Sequence, residues 1–191
     1  MEKLAIHALN PTEDRLAGWV RQAAIVVGAS LFVALCARVT FPLIPVPLTL
    51  QNFGVLVVGL VLGPRRAFAA LVLYLAEGAV GFPVFNPAGP GGIAQLVGPT
   101  GGYLMAYPFV AGLAGYWMEQ GRKTFARAAV AGLMAEVLLF AIGLGWLAVW
   151  AGSFKRALLY GLYGFLFAEV IKVLMAAAVA LRVKRTPKAQ A

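Results

Sequence analysis

Long apolar stretches with almost no charge inside them dominate this sequence, and they limit the chain to very few folds. One run, residues 20–41, holds about 20 predominantly apolar residues, which at 1.5 Å per residue matches the hydrocarbon core of a bilayer. Further runs follow at 49–62, 67–80, 100–118, 125–150 and 157–183. Hydrophobic residues make up 62% of the 191 and charged residues 12%, well outside the composition of an average soluble domain. The expectation is an all-α integral membrane protein of six transmembrane helices, in which helices 2 and 3 are short. Residues 1–19 would form an interfacial or cytoplasmic segment, 20–183 the membrane domain, and 184–191 a basic cytoplasmic tail.

The second and third runs, about 14 residues each, are too short to span upright with comfort. They read as helices whose broken ends line a cavity, the setting in which irregular backbone survives at membrane depth. Two connections stand out. FPLIPVP (41–47) holds three prolines in seven positions and reads as an extended loop, because proline restricts itself and its predecessor. GFPVFNPAGPGGIAQLVGP (81–99) is a long Gly/Pro-rich connection.

The formal net charge of +9 falls in short clusters between apolar runs and forms no nucleic-acid patch. Arg65 and Arg66, then Arg122, Lys123 and Arg127, then Arg182, Lys184, Arg185 and Lys188 would share one side, opposed only by Lys155 and Arg156. The positive-inside rule makes that side cytoplasmic, with both termini on it. Both Gly/Pro-rich loops then face outward, in a multi-pass protein of a bacterial or archaeal plasma membrane. The single cysteine, Cys36, and the single histidine, His7, exclude an intrachain disulfide and offer no metal set.

GPGGIAQLVGPTGG (89–102) invites a phosphate-binding reading. A dinucleotide loop needs a strand before it and an acid about 20 residues on, and a Walker A loop needs Gly-Lys, which occurs nowhere in this chain. Any ATP must be used by another polypeptide, and no cofactor is expected here.

Charges inside apolar runs are functional-site candidates by default, since insertion of each costs roughly 2.5–3.5 kcal/mol at the bilayer centre. They are Arg38, Glu77, Glu136, Glu169 and Lys172. Glu169 and Lys172, three apart, share a helix face. They either neutralise each other or form a clamp, a carboxylate accepting N–H bonds beside an ammonium donating to a carbonyl, suited to a neutral ligand with adjacent donors and acceptor. Arg38 snorkels at the outer end of the first helix or reaches a ligand. Glu77 and Glu136 read as structural, with Glu136 close enough to the start of its helix to reach the inner headgroups.

A second layer of polar groups lies on the outer side: Thr49, Gln51 and Asn52 at the start of the second run, Asn86 in the loop, and Tyr103 after GPTGG. Phe53, Phe82, Phe85 and Tyr107 beside them are an aromatic belt or the walls of a pocket. Ala24 and Gly28 make a small-xxx-small step on the first helix, which serves packing within the chain or docking of a partner membrane subunit.

VPLTLQNFGVLVVGLVLGPRRA (46–67), LYLAEGAVGFPVF (73–85) and GPTGGYLMAYP (98–108), in this order and spacing, resemble the biotin-specific S components of energy-coupling-factor (ECF) vitamin transporters. The resemblance covers residues 20–183. It implies a six-helix protein that captures biotin from outside, in a pocket built by helices 4 to 6 and lidded by the loops between helices 1 and 2 and between 3 and 4. It also implies partners: a transmembrane coupling subunit and two ABC ATPase subunits that use ATP. Carried over by position, Asn86 matches the family's polar loop residue, and Glu169 and Lys172 its acid and lysine, where some relatives have Asp. With Gln51, Tyr103, Phe53 and Arg38 these form the expected substrate-binding set, and Ala24 and Gly28 the partner-docking step. The ureido ring of biotin, with two N–H donors and one carbonyl, complements an accepting Glu169 and a donating Lys172 or Asn86. A different class remains beside it: a stand-alone proton-linked permease or intramembrane enzyme using Glu77, Glu136 and Glu169.

Overall fold

A computed structural model describes residues 11–41 and 46–185. The first helix, α1 (Pro11–Arg38), begins nine residues ahead of the expected start. Proline is tolerated in a first helical turn. Residues 11–19 are therefore the first turns of this helix and not a separate segment; residues 1–10, His7 among them, lie outside the described residues. At its other end the Thr40 hydroxyl donates to the Ala37 carbonyl at 2.7 Å, satisfying one of the orphan carbonyls of the last turn.

Two short strands flank the proline-rich segment. β1 (Thr40–Phe41) pairs antiparallel with β2 (Leu48–Thr49), in the register Thr40 to Thr49 and Phe41 to Leu48. α2 (Gln51–Leu62) and α3 (Pro64–Ala79) follow, joined by Gly63 alone. Gly63 has φ 80°, and a Cβ there would fall 2.1 Å from the Glu119 carboxylate; Pro64 then opens α3 in the position proline favours. This one-residue joint seats the turn directly against Glu119.

The 81–99 connection is more ordered than a loop. It contains α4 (Gly92–Val97), whose apolar Ile-Ala-Gln-Leu-Val is set off by Gly91 and Gly92, both in the left-handed region. α5 (Gly101–Glu119) and α6 (Phe125–Ala151) pack on each other. The Thr124 hydroxyl caps α6 by accepting from the Arg127 N–H at 3.2 Å. The last apolar run is not one helix: α7 (Phe154–Leu158) passes into a π-helical turn (Leu159–Tyr163) and then α8 (Leu166–Arg185), with a bend of 47°. Gly161 and Gly164 at the break are the physical reason, since a widened turn and a sharp bend gather where side chains are smallest.

The chain is almost wholly helical. Among the described residues, two helices are long and apolar enough to cross a membrane, Arg15–Arg38 and Phe125–Ala151, and the bent pair makes a third if it counts as one span. α2 is too short, and α5 is diluted by glycine, tyrosine and Pro108. α2 occupies the centre, buried along nearly its whole length and packed by α1, α5 and α8. Around it, Leu31 and Leu35 on α1, Val137 and Val149 on α6 and Phe167 on α8 face outward, the inverted pattern of a protein whose solvent is lipid.

Candidate functional site

At the end of the bundle that gathers the N-termini of α2 and α5, a cavity of about 560 Å³, counted out to its mouth, opens between helices and loops. Val46, Pro47 and Thr49 form one lip; Gln51 and Asn52 of α2, Asn86 of the loop, and Tyr103 and Tyr107 of α5 line the wall; Phe140 of α6 and Phe165, Glu169 and Lys172 beyond the π turn close it.

At one end of the cavity stands a charged network. Lys172 Nζ donates to Glu169 Oε1 at 2.7 Å, the two side chains lying one helical turn apart and buried. Glu169 Oε2 accepts from Asn52 Nδ2 at 2.8 Å, and the same amide nitrogen donates to Glu136 Oε1 at 2.5 Å. Four polar side chains from three helices are thus bonded to one another within an apolar bundle, where an unpaired charge would be strongly destabilising, while Asn52 Oδ1 and Glu136 Oε2 are left without a protein partner. Glu136 does not reach the headgroups as expected. It lies 11 residues into α6, about 16 Å along the axis, and is buried.

The opposite wall is built by a relay through the third helix. Gln51 Nε2 donates to the Tyr74 hydroxyl at 2.7 Å, and that hydroxyl donates to the Val84 carbonyl at 2.9 Å. Phe85 stacks edge-on against Tyr74 with ring centres 5.4 Å apart, and lies so tightly on Gly78 that a Cβ there would come within 2.0 Å of the ring. The loop is thereby pinned, and Asn86 is buried against the cavity with its Oδ1 lacking a protein partner. Gln51 lines the cavity too, with its amide nitrogen committed to Tyr74.

Tyr103 sits in a slot cut by two glycines. A Cβ on Gly143 would meet its ring at 2.3 Å and one on Gly161 its hydroxyl at 2.4 Å, while that hydroxyl donates to the Gly161 carbonyl at 3.2 Å. Gly102 packs on Trp146, whose Nε1 donates to the Gly98 carbonyl at 2.8 Å. The glycines of GPTGG therefore serve close approach of helix to helix beside the cavity, and not a phosphate.

Asn86, Glu169, Lys172, Gln51 and Tyr103 are brought together as expected. Phe53 and Arg38 are not. Phe53 packs on the hydrophobic core from the adjoining face of α2, because a one-residue step from Asn52 turns the side chain about 100° away. Arg38, exposed at the end of α1, lines a separate shallow depression of about 740 Å³ with Phe82 and the Gly/Pro backbone of residues 87–92; only Asn86 borders both spaces. Phe82 is exposed and Phe85 is core, so of the four aromatics only Tyr107 is a wall of the cavity. Glu77 accepts a short hydrogen bond from Ser30 and ties α3 to α1. Ala24 and Gly28 are exposed, and nothing lies within 4 Å of a Cβ placed on Gly28.

Asn52 lies outside the expected substrate-binding set, although the amides of Gln51 and Asn52 open a 12-residue helix of otherwise apolar residues. The resemblance implies a pocket built by helices 4 to 6; here α2 also lines the cavity, through Gln51, which the expected set includes, and Asn52.

The model of the BioY family matches residues 5–189. A probable biotin transporter BioY of Pyrococcus horikoshii is 39% identical over 159 residues, covering 81% of this chain and 93% of the relative. The biotin transporter BioY of Thermotoga maritima is 35% identical over 165 residues, covering 83% and 95%. Among solved structures, the S-component for biotin from an ECF-type ABC transporter superposes with a TM-score of 0.77 at 24% identity, over 88% of this chain and 93% of that one.

Proposed function

The chain belongs to the BioY family, and from that membership we propose that it is the biotin-capturing S component of an ECF-type uptake transporter. The observation that carries the proposal is the buried network at the cavity end: the carboxylate of Glu169, the ammonium of Lys172 and the amide of Asn52 line the cavity and, set among aromatic walls, complement a cyclic urea on an apolar body. Glu169 accepts from a ureido N–H, Lys172 or Asn86 donates to the ureido carbonyl, and the aromatic lining takes the thiophane ring and valeryl chain. No bond is made or broken; the protein binds and releases.

Arg65 and Arg66 in the first turn of α3, Arg122 and Lys123 between α5 and α6, and Arg127 in the first turn of α6 lie at the opposite end from the cavity mouth. On the positive-inside rule the cavity opens outward, six segments cross the membrane with α2 and α3 as short members, and both termini are cytoplasmic. The exposed Ala24 and Gly28 on α1 would receive the transmembrane coupling subunit, and two ABC ATPase subunits would supply ATP hydrolysis.

Equilibrium titration of the detergent-purified chain with biotin tests the reading. Wild type binds, Glu169→Ala and Lys172→Ala lose binding, and folded yield is largely kept. Unchanged affinity in both variants would remove the pocket assignment.

A further inference from the structure

An amide side chain carries donors at one end and an acceptor at the other, so its orientation decides what it recognises. The Asn52 amide nitrogen donates to carboxylates on two different helices, Glu136 of α6 at 2.5 Å and Glu169 of α8 at 2.8 Å. The reverse orientation would set its carbonyl oxygen against two carboxylate oxygens, so the two glutamates lock the amide. The end left over is Oδ1. It is buried and has no partner, on a residue that lines the cavity. Glu136 does not line the cavity and touches Asn52 from behind; its second oxygen is likewise buried without a protein partner.

We infer that Asn52 is a specificity-determining contact whose Oδ1 accepts a hydrogen bond from a ligand N–H, and that Glu136 is a positioning residue that acts through it by fixing the amide. The inference rests on the reading that the cavity takes biotin. A cyclic urea places an N–H on each side of its carbonyl. Glu169 meets one of them, each of its oxygens having a further lone pair beside the bond to Lys172 or Asn52, and Asn52 Oδ1 meets the other. The site then demands two ligand donors, and an analogue missing either one leaves a buried acceptor unpaired, the situation in which polar sites discriminate most strongly.

The test is equilibrium binding of biotin and of its two mono-N-methyl ureido analogues to purified full-length wild type, Asn52→Ala, Glu136→Ala and Glu136→Gln, with thermal unfolding as the check on folding. Wild type is expected to bind either methylated analogue at least about 10-fold more weakly than biotin. Asn52→Ala loses the penalty at one nitrogen and keeps it at the other. Glu136→Ala loses the same penalty in part, although it removes no atom from the cavity wall. Glu136→Gln restores it, because its side-chain oxygen still accepts the Asn52 N–H. A methyl group excluded by bulk alone would be excluded equally in Glu136→Ala, so full discrimination in that folded variant overturns the role of Glu136. Full discrimination at both nitrogens in Asn52→Ala overturns the inference whole and decides it if Glu136→Ala does not fold. Wild type that binds no biotin defeats the function proposed above, and this inference with it.

Discussion

Glu77 on α3 and Glu169 on α8 are the same side chain set into apolar helices, yet their surroundings differ in kind. Glu77 takes a hydrogen bond from the hydroxyl of Ser30, a neutral partner on α1, and borders neither of the two spaces at the cavity end of the bundle. Glu169 is bonded to an ammonium and an amide, and all three of those side chains line the cavity. The first arrangement pins two helices. The second holds full charges where water is scarce, beside a space that a ligand can fill. An acid in a membrane helix is thus a question about its company: a site is marked by polar groups beyond what neutralisation requires, facing room.

The comparison breaks most visibly at Lys172. Lys172→Met leaves the Glu169 carboxylate buried with only an amide partner, a change of the kind that costs about 3–5 kcal/mol. Biotin affinity is expected to fall more than about 100-fold, measured by isothermal titration, together with a lower Tm. The counterpart on the other side is Ser30→Ala, which removes one hydroxyl-to-carboxylate hydrogen bond, of a kind worth about 1.5–3 kcal/mol to stability, and leaves affinity within about 2-fold. If Ser30→Ala abolished binding as Lys172→Met does, the distinction between the two acids would collapse.

A smaller effect on the Glu169 side comes from packing. Gly143→Ala would place a methyl 2.3 Å from the Tyr103 ring, and that ring is a wall of the cavity. Overpacking of this sort costs about 1–3 kcal/mol, and a ring that shifts to relieve it alters the cavity wall. Affinity is expected to drop about 10-fold with a modest fall in Tm. Gly145→Ala, two residues on with nothing within 4 Å of its Cβ, is the matched control and should change neither.

The charged pair was legible because both members lie on one helix, where a spacing of three fixes a shared face before any tertiary structure exists. Asn52 and Glu136 were not, since their contact joins residues 84 apart in sequence and depends on how α2 threads between α6 and α8. Periodicity places a residue on a helix but not the helix among its neighbours. The bend in the last run had a signal in Gly161 and Gly164, but hydropathy alone reads straight through glycine. The Gly/Pro connection carries no Gly-Lys pair, and its role in setting Asn86, Tyr103 and Trp146 emerges only from which backbones come close.

The smallest expected effect concerns Arg38, and it sharpens the boundary of the site. Arg38 is exposed on the depression that meets the cavity only along Asn86, so it stands at the approach and not on the cavity's lining. An exposed cation gains little from a single anion in water, but it biases the encounter, since a positive rim raises the association rate of an anionic ligand in a salt-dependent way. Biotin carries a carboxylate. Arg38→Gln should therefore slow association about 2-fold at low ionic strength, with the difference fading as salt screens it, while the dissociation rate stays the same. Stopped-flow binding across a salt series reads both rates. A loss of 10-fold or more that salt does not alter would put the Arg38 guanidinium on the bound ligand and merge the depression with the cavity into one site.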